Sequence, residues 1–526
     1  FLNRVKDRFD KNADEIGFVP RWVGELYLEL HRGTYTSIAK NKRNNRKSEF
    51  LYQKLETLCV MDKLIFGEEY PQETINAAWQ NILLNQFHDI IPGSSIYEVY
   101  EVTDKEYKKL LTDGAEMAED RLARMASGVK TDGGLFVYNP NSFSCDNVID
   151  VDGKKIFAKD IAPLGYTVVK EFNDKNSITF ENGILNTPFY EIKFDENADI
   201  VSLYDKENNR QVNSGKFNEF EIFEDFPRSY DAWEITSYYK NKKYHISNVR
   251  SITAKSCGSA FCITVVREFL DSAIKQDIYV YEDIRRIDFN TEIDWKQEHQ
   301  LMKIAFPTDV HTTSATYDIQ FGNITRPTHY NTSWDKAKFE VCAHKWADIS
   351  EDNYGLSLIN DCKYGYSAEG NVLKLTVLKS ATYPNPMADK ELHRFTYSIL
   401  PHSGTFKSAG VVNEAYIVNR PLDAITVGKQ DGKLPETYSL VKCDAENIFI
   451  ETIKKTEDGE GIIVRLYECF DRKTDVKLDF GFDFDGAFIC DMMEQNDVSV
   501  KKEGRSVKLR MNNFEIVTLK IKGAAM

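Results

Sequence analysis

Adjacent histidine and aspartate residues, His88 and Asp89, are the side chains in this sequence whose types and spacing best suit chemistry. They follow a helical pattern and precede a turn signal, Pro92-Gly93. An imidazole nitrogen can bind a metal ion, and a neighbouring carboxylate can hold a polar ligand. The alternative is structural: His88 would cap the last carbonyls of a helix, and Asp89 would begin a turn. Both interpretations place the pair where a helix ends.

A helical region must position this pair. Residues 45–129 have a helical period in three stretches, the second beginning near Pro71, a residue suited to a first turn. The third is expected to begin after Gly93, with Ser95 and Glu98 as a capping box. Three helices with short connections predict an antiparallel bundle. The second helix should bury an apolar stripe at steps of three and four, formed by Ile75, Ala78, Trp79, Ile82, Leu83 and Phe87.

Short strands and turns fill the rest of the chain. Turn signals such as Asn182-Gly183 recur from residue 134 onward, and residues 462–470 alternate as a half-buried strand would. Before the bundle, a short helix and a strand-like run, residues 23–30, suggest one βα unit. The predicted fold class is therefore α+β and multidomain, an antiparallel three-helix bundle followed by large all-β sandwich domains. The predicted domains are a β/α remnant (1–36), the bundle (37–130), a large β-sandwich (131–430) and a C-terminal β-sandwich (431–526).

Composition excludes some classes of function. The net charge of -15 argues against binding of nucleic acid, which needs a basic face. No apolar run approaches the length of a membrane span, so no membrane partner is expected. The 9 cysteines are odd in number and form no C-x-x-C pair, which favours free thiols and a cytoplasmic location. The chain does not begin with Met, and its first residues already have apolar side chains at helical spacing, so we expect it to be part of a longer protein.

Several sequence blocks resemble one family, the family 38 glycoside hydrolases, which are retaining α-mannosidases, and within it the cytosolic and vacuolar type. The blocks occur in the family's order and span nearly the whole chain. One departure is visible at Glu391, where the family usually has Gly; a left-handed backbone there would cost about 1 kcal/mol or more. The blocks are residues 24–37, 42–46 with Glu49, 86–89 with Pro92-Gly93, 231–233, 326–329, 343–348, 364–366, 395–397 with 400–402, and 465–468.

The resemblance implies a role for each residue of the pair. In the family, a zinc ion at the base of the mannose site has four ligands, of which the bundle histidine corresponds to His88. The aspartate that contacts sugar hydroxyls corresponds to Asp89. The remaining ligands, the nucleophile and the general acid/base precede the part of the family that this chain matches, and the chain has no His-x-Asp-x-x-Trp motif. The expected cofactor is zinc, the expected substrate is an α-mannoside oligosaccharide, and the chain by itself is expected to be inactive.

Other interpretations stay open at this point. The chain could be a non-catalytic carbohydrate-binding or scaffold module, since 12% of its residues are aromatic, or part of a hydrolase of a small mannosylated solute. The β-rich half offers surface for a homo-oligomer.

Arg32 is expected to dock domains, and Arg326 to form a buried ion pair, rather than to contact sugar.

Overall fold

Helices occupy the first quarter of the chain, and antiparallel strands fill most of the rest. A computed structural model of the chain describes residues 1–12, 15, 17 and 21–524. The predicted fold class is confirmed, because a helical region precedes β-sandwich domains. The helices are α1 (Leu2–Lys11), α2 (Ala39–Phe66), α3 (Gln72–Asn85), α4 (Tyr97–Gly128), α5 (Ser333–Ala337) and α6 (Val411–Asn419), with 3-10 turns at Arg32–Tyr35 and Ser237–Asn241.

The segment before the bundle differs from the prediction. Residues 23–30 form no strand, and α1 buries none of its side chains. A strand needs a hydrogen-bonded neighbour, and the part of the chain that the structure describes supplies none here. The segment still alternates: Glu25 and Tyr27 contact the β-domain, whereas Leu26 and Leu28 are exposed.

Helices α2, α3 and α4 form the bundle. Helix α3 begins after Pro71, as predicted, and buries Ile75, Ala78 and Ile82. The predicted stripe is too wide, because Leu83 and Phe87 are 60% and 55% exposed. They lie outside the narrow face of α3 that packs on the other two helices.

The start of α4 also differs from the prediction. The residue before the helix is Ile96, and no side chain caps it. The Ser95 hydroxyl donates to the Asp89 carbonyl oxygen at 2.6 Å, and the predicted capping box with Glu98 is not formed. The helix ends at Gly128.

Two large sheets face each other over one core in the central β-domain. The nine-stranded sheet has the order Asn248–Cys257, Ala260–Phe269, Ser272–Tyr281, Ile287–Asp294, Leu392–Ser403, Tyr354–Asn360, Trp346–Ser350, Ser314–Ile319, Gly322–Pro327. The six-stranded sheet has the order Lys243–His245, Glu219–Glu224, Gln300–Pro307, Val372–Lys379, Gly365–Glu369, Val341–Cys342. A five-stranded sheet extends the same core with Arg210–Gln211, Ile200–Asp205, Tyr190–Phe194, Ile184–Asn186 and Thr179–Glu181. The predicted Asn182-Gly183 turn joins its last two strands, and both turn residues have positive φ.

A second sandwich lies at the C-terminus. Its five-stranded sheet has the order Ile448–Lys455, Gly461–Glu468, Ile516–Lys522, Gly486–Cys490, Val498–Val500, and its four-stranded sheet has the order Val441–Cys443, Thr474–Phe480, Ser506–Met511, Lys502–Glu503. Strand Gly461–Glu468 is buried on both faces rather than half-buried as predicted, and near its end Tyr467 belongs to the same apolar cluster as α6.

Smaller sheets connect the two sandwiches. One four-stranded sheet joins Asp423–Val427, Gly134–Asn139, Gly165–Val169 and Thr437–Ser439, and two-stranded pairs join Cys145–Val151 with Lys154–Ile161, and Lys130–Thr131 with Gln430–Asp431. The predicted boundary at 430/431 thus lies inside a short strand, and strands on either side of it share a sheet. The domain bounds stay a prediction.

One apolar core connects the bundle to the C-terminal sandwich. It includes Leu55 and Leu58 of α2, Tyr107 of α4, and Ile462 and Leu519 of the sandwich. Burial of such residues contributes about 25 cal/mol per Å² of apolar surface, so the bundle and the sandwich stabilise each other. Among the residues described, no helix is both long and apolar enough to cross a membrane.

Candidate functional site

His88 and Asp89 lie side by side in a tight turn just after α3. The helix ends at Asn85, and the Phe87 carbonyl then accepts hydrogen bonds from the amides of Ile90 (2.8 Å) and Ile91 (3.2 Å). This turn directs both side chains outward: the His88 side chain is 75% exposed and that of Asp89 is 50% exposed. His88 Nε2 and Asp89 Oδ2 are 3.3 Å apart. The predicted pairing of an imidazole with a carboxylate at a helix end is therefore present.

Neighbouring side chains fix the Asp89 backbone and carboxylate. The Ser95 hydroxyl donates to the Asp89 carbonyl, and the Ser94 hydroxyl donates to Asp89 Oδ1 at 3.2 Å. The Tyr100 hydroxyl, on α4, donates to the carbonyl of Ile90 at 3.2 Å. These hydrogen bonds connect the turn to the start of α4 and restrict the orientation of the Asp89 carboxylate.

Helix α2 holds the same turn from the other side. Asn41 Nδ2 donates to the Ile90 carbonyl at 3.2 Å, and Lys42 Nζ donates to the Ile91 carbonyl at 2.8 Å. Lys42 is 4% exposed and also donates to the Ser37 carbonyl. Burial lowers the pKa of Lys42 to about 7. A buried lysine whose two hydrogen bonds both go to backbone carbonyls acts as a structural brace for the turn.

Gly93 permits the close approach of this turn to α2. Its φ is +86°, and a Cβ at this position would lie 2.2 Å from the Ser37 carbonyl oxygen. Only glycine fits a position where the backbone is left-handed and no space remains for a Cβ. The Pro-Gly signal in the sequence therefore marks a packing requirement as well as a turn.

The start of α2 is capped by the β-domain. Asp389 accepts hydrogen bonds from the amides of Ile38 and Ala39, both at 2.7 Å. Burial raises the pKa of Asp389 to about 7. Asp389 itself has a φ of 57°, whereas Glu391 is not among the described residues with positive φ and pairs with Lys40 at 3.2 Å. The strain expected from glutamate at position 391 is therefore absent.

Exposed apolar side chains lie near the pair in the sequence. Leu83 and Leu84 are each 60% exposed, and Ile96 is 53% exposed. The Phe87 ring packs against the His88 imidazole with ring centroids 4.2 Å apart. Exposed apolar side chains close to a polar pair are typical of a surface that contacts another protein segment.

Arg32 and Arg326 connect the N-terminal segment to the β-domain, as the sequence predicted. Arg32 pairs with Glu234 at 3.1 Å and stacks over the Phe339 ring at 4.5 Å. Arg326 forms a two-point ion pair with Glu25, at 2.9 and 2.6 Å. Both arginines are buried and join the N-terminal segment to the β-domain through ion pairs.

His88 could supply one of the ligands of a zinc site. Zinc in proteins is held by three or four nitrogen, sulfur or oxygen ligands. No group of three or more His, Cys, Asp or Glu side chains with suitable geometry occurs in the described part of the chain. His88 offers an accessible imidazole, and the donor type suits zinc, but the other ligands would have to come from elsewhere.

Sequence reasoning found the pair but missed the residues that position it. Asn41, Lys42 and Tyr100 hold the turn, and Asp389 holds the helix that carries two of them. The only signal was the polar run at 41–46, which is unusual for a helix that becomes buried.

Three family models match separate parts of the chain. The "Alpha mannosidase middle domain" matches residues 29–125, the "Glycosyl hydrolases family 38 C-terminal domain" matches residues 185–387, and the "Glycosyl hydrolases family 38 C-terminal beta sandwich domain" matches residues 447–519. The matched parts coincide with the bundle, the central β-domain and the C-terminal sandwich.

Curated relatives and solved structures agree with these matches. Alpha-mannosidase 2C1 of Homo sapiens is 32% identical over 95% of this chain and 50% of its own length. Alpha-mannosidase G of Dictyostelium discoideum is 31% identical over 95% of this chain and 52% of its own length. The chain therefore spans about half the length of the curated relatives it matches.

A crystal structure of an alpha-mannosidase from Enterococcus faecalis V583 has the same fold, with a TM-score of 0.82 and 16% identity over 98% of this chain and 72% of that one. The bundle, the two sandwiches and the His88–Asp89 turn thus lie in segments that match one family in order. The chain belongs to glycoside hydrolase family 38.

Proposed function

We propose that the chain forms the C-terminal half of a retaining, zinc-dependent α-mannosidase that hydrolyses terminal α-mannosides of oligosaccharides. The observation that carries the proposal is the His88–Asp89 pair, whose side chains project from a turn braced on both sides. The match to α-mannosidases over 95% of the chain supports the reaction class.

Each residue of the pair has a distinct role in the proposed enzyme. His88 supplies an imidazole nitrogen as one zinc ligand, and the Phe87 ring packs against its ring at a tilted angle. Asp89 accepts a hydrogen bond from a sugar hydroxyl, while Ser94 and Ser95 fix its direction. When bound, zinc would interact with mannose hydroxyls and favour distortion of the sugar ring. The charge-assisted hydrogen bond from the sugar hydroxyl to the Asp89 carboxylate would contribute about 1.5–3 kcal/mol.

Retaining hydrolysis also needs a nucleophilic carboxylate and an acid/base carboxylate about 5 Å apart. In the proposal both belong to a further segment of the protein, together with the other zinc ligands. The exposed apolar side chains of Leu83, Leu84 and Phe87 are where this segment would contact the bundle. Substrate would then be enclosed between the two halves, with Asp89 at the boundary.

We also propose a cytoplasmic location. The 9 cysteines are free, and six of them are buried. Burial raises the pKa of thiols such as Cys59 and Cys362 to about 12, which keeps them as unreactive thiols. Free thiols of this kind suit a reducing compartment.

An assay of the chain by itself tests whether the catalytic carboxylates lie outside this chain. The 526-residue chain is incubated with an aryl α-mannoside, with and without added zinc. We expect no turnover above the blank in either case, because one zinc ligand and one sugar-contacting carboxylate cannot supply displacement chemistry. Zinc-dependent turnover that is lost in Asp89→Asn would contradict the proposed division between two halves.

A further inference from the structure

A large cavity with both polar and apolar lining lies where the bundle meets both sandwiches. Its volume is about 510 Å³, within the range of about 300–1,000 Å³ typical of small-molecule sites. Its walls come from α2, from the loop after α3, from the hairpin turn at residues 319–321, and from the two sandwiches. Gln86 and Ile91 line it, whereas His88 and Asp89, which lie between them, do not. The cavity is therefore beside the His88–Asp89 turn but has its own set of side chains.

Hydrogen-bonding groups in the cavity lack protein partners. Neither ring nitrogen of His344 has a hydrogen-bond partner among the residues that the structure describes. Burial and the nearby charges of Arg46 and Lys345 lower the pKa of His344 well below its ordinary value. The neutral imidazole therefore offers one donor and one acceptor. The Tyr364 hydroxyl accepts from Arg46 Nε at 3.1 Å, and its own proton remains free to donate to a ligand.

The charges in the cavity are largely neutralised. Lys345 Nζ pairs with Asp318 at 3.1 Å, and Glu451 pairs with Arg420 at 3.1 Å. The remaining carboxylate, Glu49, accepts a hydrogen bond from the Gln86 amide at 2.8 Å, and burial raises its pKa. A site with paired charges and free neutral donors and acceptors favours a neutral ligand over an ion, because an ion would lose its hydration without an opposite charge.

Aromatic rings supply the apolar part of the surface. Phe50 and Phe321 line the cavity together with the rings of Tyr364, Tyr416 and Tyr467. The Tyr416 and Tyr467 hydroxyls are 2.8 Å apart, and Tyr416 donates to Glu451 at 2.6 Å, so these two rings are fixed. Aromatic rings pack well against the polarised C–H groups of a sugar ring, although Arg46 already covers one face of Tyr364 and Arg420 one face of Phe50.

We propose that this cavity binds one hexose unit of a neutral carbohydrate, at the junction of the bundle and the two sandwiches. The ligand class follows from the combination of unpartnered neutral donors and acceptors, paired charges and aromatic faces. The inference goes beyond the proposed hydrolysis, since the side chains that carry it do not include His88 or Asp89.

Ligand-observed NMR with the full chain tests this site. The probes are the methyl α-glycosides of mannose, glucose and galactose, and cyclohexanol is a control that has the ring shape but one hydroxyl. We expect saturable binding of at least one glycoside and none of cyclohexanol. His344→Phe keeps a ring against Tyr364 but removes both nitrogens, and Phe321→Ala removes one aromatic wall from a loop. Each should weaken binding about tenfold or more.

Matched variants separate this site from the His88–Asp89 pair. His311→Phe makes the same substitution at an exposed histidine whose side chain is 83% accessible, and it should leave binding within about twofold. Asp89→Asn reports instead on sugar binding at the His88–Asp89 pair. Thermal unfolding and near-UV circular dichroism verify that each variant is folded; if His344→Phe does not fold, Phe321→Ala decides alone.

Three results would overturn the inference. These are no saturable binding of any of the three glycosides, equal binding of cyclohexanol, or binding that is lost in Asp89→Asn but kept in His344→Phe and Phe321→Ala. The last result would place the sugar at the His88–Asp89 pair, so it would support the proposed function while excluding the cavity.

Discussion

Lys42 joins the His88–Asp89 turn to helix α2 at the scale of single residues. Its ammonium donates to the carbonyls of Ser37 and Ile91 from a buried position. Removing a donor from buried carbonyls costs about 1–3 kcal/mol for each group left unsatisfied. The geometry of the exposed pair therefore depends on a residue that contacts neither of them.

We predict that Lys42→Met loosens the turn without unfolding the bundle. The methionine fills similar space but cannot donate, so the amides of Ile90, Ile91 and Gly93 should exchange with solvent about tenfold faster or more. Hydrogen exchange measured by mass spectrometry on the purified chain checks this. Lys108→Met, at an exposed position of α4, is the control and should leave the turn unchanged. Equal exchange in both variants would show that Lys42 does not brace the turn.

The position of His88 and Asp89 at a helix end was predictable from the sequence, whereas the residues that hold the turn were not. The residue types and spacing of a His-Asp pair before a Pro-Gly signal indicate that the pair lies where a helix ends. Asn41, Tyr100 and Asp389 reach the turn from other elements, and a single sequence does not say which polar side chains meet in space.

At the scale of elements, the packing of the turn on the start of α2 depends on Gly93. We predict that Gly93→Ala destabilises the chain by about 3 kcal/mol, because it adds a backbone clash with Ser37 to the strain of a positive φ. Gly67→Ala is the matched control: its φ is +78°, but no atom lies within 4 Å of its Cβ, so only about 1 kcal/mol is expected.

Chemical denaturation of both variants measures the two free energies of unfolding. A loss for Gly93→Ala no larger than that for Gly67→Ala would mean that the turn can move away from Ser37. The close contact would then not be needed to hold the His88–Asp89 pair.

Helix α2 also contains a carboxyl group buried against the C-terminal sandwich. Glu56 is 5% exposed, and burial raises its pKa to about 7, against opposing effects from Lys454 and Trp79. Because the folded-state pKa lies above the ordinary value of 4.5, the stability from this group is complete below that value. It is lost as pH rises through about 7.

We predict that Glu56→Gln removes this pH dependence. Relative to the unsubstituted chain, the free energy of unfolding of the variant should rise by about 2 kcal/mol between about pH 5 and about pH 8. Urea denaturation at both pH values measures it. Glu69→Gln, at an exposed position after α2, should give a constant difference. A parallel pH dependence in the Glu56→Gln chain and the unsubstituted chain would contradict the assignment.

The elements themselves were largely predictable, and the exceptions have physical causes. The periods of α2, α3 and α4 and the Asn182-Gly183 turn follow from local sequence. The exposed Leu83 and Phe87 were expected to be buried, because periodicity reports which face is apolar and not whether a partner covers it. Residues 23–30 alternate like a strand but lack a neighbouring strand in the described structure.

At the scale of the whole molecule, the bundle presents His88 and Asp89 to solvent beside the exposed ring of Phe87. The two sandwiches form a rigid support, since the bundle shares its core with the C-terminal sandwich and Asp389 ties α2 to the central β-domain. In the proposed enzyme the support holds the pair still while the remaining ligands and carboxylates approach from the other half.

The most direct test measures zinc content and turnover together in the complete protein that carries this chain. His88→Ala should lower bound zinc and reduce kcat/KM for an aryl α-mannoside by about 100-fold or more. Asp89→Asn should keep the zinc but reduce kcat/KM by about 10–100-fold, and His311→Ala, at an exposed histidine, should change neither. A His88→Ala protein that retains full zinc and unchanged turnover would contradict the account.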